Sequence, residues 1–87
     1  MRAKIIMDTI NDAKEIEAIT KQITSAKDFD DQICITDSAG LRVNANSFVG
    51  LLHALEFNEL WLEAKGDYYM QYSKFIVGNN LDAPAAY

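Results

Sequence analysis

A single cysteine, a single proline and a single histidine stand among 87 residues. One cysteine, Cys34, cannot close an internal disulfide and suits a reducing compartment. His53 has no Cys, His or Asp at ligand spacing, which removes any zinc pattern and any Ser/His/Asp nucleophile set. There is no glycine-rich phosphate loop and no inward carboxylate pair. No apolar run approaches the roughly 20 residues of a membrane span, and the first residues lack the apolar stretch of a signal peptide. Basic residues are few: six Lys and two Arg, scattered singly, against 13 Asp and Glu, for a net charge of −5. With no basic patch to meet phosphates, nucleic acid is excluded as a partner. These absences lead us to expect a mildly acidic cytoplasmic protein, with no metal, no cofactor and no membrane segment.

What is present is periodic. The hydrophobic fraction of 49% and the length suit one packed domain. Residues 3–9 (AKIIMDT) read as a first strand whose inward face is ambiguous, because Ile5, Met7 and Ile6 are all apolar. Asn11 or Asp12 then caps a helix to about Ala26, with Ile16, Ile19, Ile23 and Ala26 as its core stripe. Residues 32–36 (QICIT) form a second strand with Ile33 and Ile35 on one face, and residues 37–40 (DSAG) a hairpin turn.

Residues 41–67 organise the rest. A short strand (41–45) leads into a helix opening at Ser47, whose hydroxyl can accept from the unpaired N–H groups of the first turn. Phe48, Leu51, Leu52 and Leu55 recur at three and four, a helical stripe; Leu60 and Leu62 then recur at two, a strand. Asp67 is read as the cap of a final helix over residues 68–77, with Tyr69, Tyr72, Phe75 and Ile76 inward, ended at Gly78. Residues 79–87 are read as a flexible tail after a domain of residues 1–78. The order is βαββαβα, an α+β open-faced β-sandwich: a four-stranded antiparallel sheet with three helices on one face.

The stretch VNANSFVGLL and this element order resemble HPr, the phosphocarrier family of the bacterial sugar phosphotransferase system, whose pattern there is Val-Asn-Ala-Lys-Ser-Ile-Met-Gly. The resemblance covers residues 3–77 and implies a strand order of 1-4-2-3. It also implies a phosphorylated His in the loop before the first helix, with an Arg beside it. Here the matching stretch, NDAKEIEA, has neither: Glu15 stands at the former phosphohistidine position and Glu17 where the Arg would be. Two carboxylates would repel a phosphodianion. The AKGD tetrapeptide usual in the family's link between second helix and fourth strand recurs here only later, at residues 64–67, after the strand.

The resemblance further implies that Ser47 corresponds to the Ser that a dedicated kinase phosphorylates in Gram-positive members, with Asn46 replacing the adjacent Lys. Phe48 and Val49 would then belong to an apolar patch contacted by partners. On the strands, Cys34 and Trp61 alternate out of phase with the aliphatics and are expected on the open sheet face. Trp61 there is a candidate anchor of a homodimer. The expectation is a non-enzymatic regulatory or binding paralogue, with protein partners of the phosphotransferase or catabolite-control system. The alternatives are a working phosphocarrier and a self-associating domain on the same fold.

Overall fold

The computed structural model describes residues 1–77, and the readings of Gly78 as a helix terminator and of the tail lie outside that range. Six elements follow in order: β1 (Arg2–Ile5), α1 (Ile10–Thr24), β2 (Cys34–Thr36), β3 (Arg42–Asn44), α2 (Phe48–Ala54) and β4 (Leu60–Glu63). The strands form one four-stranded sheet in the order β1-β4-β2-β3, every pairing antiparallel. This is a small α+β domain in which the last strand in sequence lies inside the sheet, between the first and the second. Its strand order is the one that the resemblance implies.

Register sorts the strand residues onto two faces, since successive side chains point opposite ways. Ala3, Leu62, Ile35 and Val43 stand in one row across all four strands, with Ile5 opposite Leu60 beside them. Ile5, Ile35, Leu60 and Leu62 join Ala13 and Ile16 of α1 and Leu51 and Ala54 of α2 in a single buried cluster. The ambiguous first strand resolves accordingly: Ala3, Ile5 and Met7 are buried, whereas Ile6 is 55% exposed. The second face carries Arg2, Glu63, Cys34 and Asn44 in one row and Lys4, Trp61, Thr36 and Arg42 in the next.

Local signals explain most boundaries. The turn over residues 37–40 closes through Gly40 N–H to the Asp37 carbonyl, and Gly40 takes φ 94°, a conformation that a side chain disfavours. Helix α1 is capped by Thr9, not by Asn11 or Asp12. The Thr9 hydroxyl accepts from Asp12 N–H at 3.0 Å, and the Asp12 carboxylate accepts from Thr9 N–H at 3.2 Å and Asp8 N–H at 2.9 Å. Asp12 is therefore the N3 partner of a capping box, with Asp in the usual Glu position. The stripe of α1 also shifts. Ala13, Ile16 and Thr20 are fully buried, Ile19 and Ile23 pack at the margin, and Ala26 lies beyond the helix and exposed. Thr20 is tolerated inside because its hydroxyl lies 2.7 Å from the Ile16 carbonyl and 2.6 Å from the Tyr72 hydroxyl. Burial pushes that phenol up to about 12.

The expected third helix does not form among the described residues. Residues 68–75 run as successive turns, most closed by i→i+3 bonds such as Phe75 N–H to the Tyr72 carbonyl at 2.8 Å. Asp67 caps no helix; its carboxylate accepts from Tyr69 N–H at 3.1 Å, an Asx turn. The physical reason is tertiary. Residues 75–77 lie along the outer edge of β1, where Ile6 N–H bonds to the Phe75 carbonyl and Val77 N–H to the Lys4 carbonyl, each at 2.9 Å. An extended end and a helix cannot occupy the same residues, and a segment rich in Tyr, Phe and β-branched residues has modest helix propensity. Tyr72 and Phe75 still point inward, as their spacing predicts.

Candidate functional site

The N-terminus of α2 forms as expected. Ser47 is the N-cap, and its hydroxyl accepts from Gly50 N–H at 3.1 Å. Gly50 lets the helix settle on β3: a Cβ there would sit 3.2 Å from the Val43 Cβ. Phe48 packs against the core, and Val49 is 66% exposed. One short segment therefore carries a half-buried capping hydroxyl beside an exposed apolar side chain, above a helix with no acidic residue in its first turn.

The first helix offers no comparable opening. Because α1 starts at Ile10, Glu15, the position matching the family's phosphohistidine, falls in its second turn. Glu15 is exposed, and Lys74 Nζ reaches its two carboxylate oxygens at 2.7 and 2.9 Å. Glu17 pairs with Lys21 one turn on, at 3.3 Å. At the true start of the helix, the Asp12 carboxylate already occupies the Asp8 and Thr9 N–H groups. The hydrogen bond from Asp8 N–H is the main cause that holds the Asp12 carboxyl below its ordinary value. An incoming phosphate there would meet a carboxylate, and like charges repel.

On the second sheet face, Glu63 is the centre of a charged network. Its carboxylate takes Arg2 Nε at 3.0 Å, Arg42 at 3.2 Å and the Thr36 hydroxyl at 3.0 Å. Partial burial pushes Glu63 up, but these hydrogen bonds and the two guanidinium charges outweigh it and leave the carboxyl below its usual range. Lys4 pairs with Glu59 at 3.4 Å, and the same Glu59 accepts from the Trp61 indole N–H. The Arg2 guanidinium stacks 3.8 Å from the centroid of the Trp61 ring. Trp61 lies on the expected face but under an arginine and half-buried, so it is not a bare apolar anchor. Cys34 shares that face and is nonetheless 3% exposed. Burial, the largest effect on it, pushes the thiol up, which makes it a poor nucleophile.

His53 is exposed near the end of α2 and borders an open groove of about 760 Å³ with Leu41, Val43, Leu52, Glu56 and Phe57. No group of three or more His, Cys, Asp or Glu among the described residues could hold a metal. No helix of those residues is long and apolar enough to cross a membrane.

One cluster escaped the sequence altogether. Asp31 accepts from Lys65 N–H at 3.0 Å, Gly66 N–H at 2.8 Å, the Tyr68 hydroxyl at 2.8 Å and Gln32 N–H at 2.6 Å. It ties the link after α1 to the turn after β4. Its four donors lie in a turn 35 residues away and in its own neighbour, and no local pattern announces such a pairing. No protein-family model matches the chain, and neither the curated proteins nor the solved structures yield a match to it.

Proposed function

We propose that this chain is an HPr-like domain, an open-faced β-sandwich with its helices on one face, that acts in the cytoplasm by binding rather than by phosphoryl transfer or any other catalysis. The observation that carries the reading is the strand order β1-β4-β2-β3 combined with a Ser-capped second helix between β3 and β4. The start of α1 supports the non-catalytic half. It has no His, no Arg and no Pro, and the Asp12 carboxylate stands at its N-terminus, bonded to the Asp8 and Thr9 N–H groups just ahead of the helix.

In this reading the working surface is Ser47, Phe48 and Val49, and the partners are proteins of the phosphotransferase or catabolite-control system. Phosphorylation of Ser47 would add about −2 charge to a chain at −5. With Asn46 where the family carries Lys, the result is a local anionic patch beside exposed Val49, which alters recognition and leaves the fold in place. The experiment is an amide chemical-shift titration of the ¹⁵N-labelled chain with unphosphorylated enzyme I and, separately, with an HPr-type serine kinase and ATP. Perturbations clustered on residues 46–52, and phosphate on the Ser47 peptide, are the expected results. Shifts confined to other surfaces, with no label while an HPr control is labelled, would reduce Ser47 to a helix cap.

A further inference from the structure

Leu52 belongs by spacing to the apolar stripe of α2, yet only its neighbour Leu51 is fully buried. Leu52 is half-buried, Leu41 is 57% exposed, and neither joins the core cluster. Both line the groove of about 760 Å³, where Val43 and Phe57, which pack on the core, form the base. The charges of that lining are unequal. Arg42 is already engaged, since its guanidinium bonds to Glu63 at 3.2 Å. Glu56 is exposed, and its carboxylate has no ion pair or hydrogen bond among the described residues. Asp37 is 8% exposed; its Oδ1 accepts from Ala39 N–H at 2.6 Å and, more weakly, from Leu41 N–H, while Oδ2 has no partner among the described residues. Two carboxylates therefore face an apolar groove with no free Lys or Arg in its lining.

We propose that this groove binds a small organic amine, an ammonium group carried on an apolar body. Its volume falls within the roughly 300–1,000 Å³ of small-molecule sites. Leu41 and Leu52 would close on the apolar body and so lose their own contact with water. The ammonium would donate to Glu56, and Asp37 adds a second negative charge to the same lining. Low-dielectric walls strengthen that field, and a chain at −5 reinforces its sign. An anion of the same shape would meet both carboxylates and be repelled. An extended peptide fits less well, because the adjoining edge of β3 is interrupted where Ser47 N–H bonds to the Asn44 carbonyl at 3.1 Å. The groove lies at the C-terminal end of α2, so it is separate from the surface at Ser47 and Val49.

A chemical-shift titration of the ¹⁵N-labelled full chain with phenethylamine tests this. Saturable shifts centred on residues 41–43 and 52–58 are expected. Hydrocinnamate, which carries the same ring on a carboxylate, should bind about tenfold more weakly. Glu56→Gln changes an exposed side chain that holds no other group, so the fold stays and the amine binds about two- to fivefold more weakly. Leu52→Ala removes part of one wall and weakens the amine by about fivefold. Asp37 is left in place, because its carboxylate also holds the turn over residues 37–40. Shifts that never saturate, or that scatter over the surface, would overturn the proposal. So would equal binding of amine and carboxylate, or an amine affinity indifferent to Glu56→Gln. Saturable binding of a Leu-Lys peptide without any of the amine would overturn it too, and would assign the groove to a protein segment.

Discussion

Leu62→Ala is expected to destabilise the domain by about 3 kcal/mol, near the middle of the range for emptying a fully buried leucine site. Leu62 is wholly inaccessible and lies on β4, the strand that joins the two halves of the sheet, opposite Ala3 on one side and Ile35 on the other. A cavity there adjoins three strands at once, and strands paired on both sides have little freedom to collapse into it. Ile6→Ala is the control, since that side chain is 55% exposed and should cost no more than about 0.5 kcal/mol. Urea unfolding of the two variants measures both. Equal losses would mean that β4 is not the central strand.

The second large effect is expected at Asp31. Although partial burial alone would raise it, the hydrogen bonds from Gly66 and Lys65 N–H, the Tyr68 hydroxyl and Gln32 N–H hold this carboxyl far below the usual range. Asp31→Asn replaces an acceptor of two of those bonds by a donor facing donors. The site is partly exposed, so solvent screening limits the cost to about 1.5–2 kcal/mol at neutral pH. The pH dependence has a definite sign. A carboxyl whose folded value is depressed contributes stability above its unfolded value of about 3.9, and that contribution is lost as pH falls toward the folded value. The wild-type chain should therefore lose stability below about pH 4, and the variant should lose less of it over the same interval. Chemical denaturation across the acid range checks this; parallel curves would show that Asp31 is not an acceptor hub.

Where sequence signals were local, they were legible. The Ser47 cap, the helical stripe through Leu51 and the two-residue period of Leu60 and Leu62 each occupy a few adjacent residues, and each formed as its spacing predicts. Thr9 is legible too, since Thr9 and Asp12 form the capping pattern, but Asn11 and Asp12, two and three residues further in, are equally good caps by type. Residues 68–77 misled because an aromatic spacing that fits a helix also fits turns that bury Tyr72 and Phe75. What decided between them was the unfilled edge of β1, which no residue in the segment reveals. Cys34 shows the same limit: alternation gives the face, but not whether neighbouring side chains close over it. The pairings of Glu15 with Lys74 and of Asp31 with the turn at residues 65–68 span more than thirty residues and could be seen only once folded.

Under the proposed function, the chain has an HPr-like frame without phosphohistidine chemistry. Incubation with enzyme I and phosphoenolpyruvate, followed by intact-mass measurement beside a true HPr control, tests it most directly. An unchanged mass is expected for this chain while the control gains one phosphoryl group. An acid-labile phosphoryl group on His53, its only histidine, would contradict it.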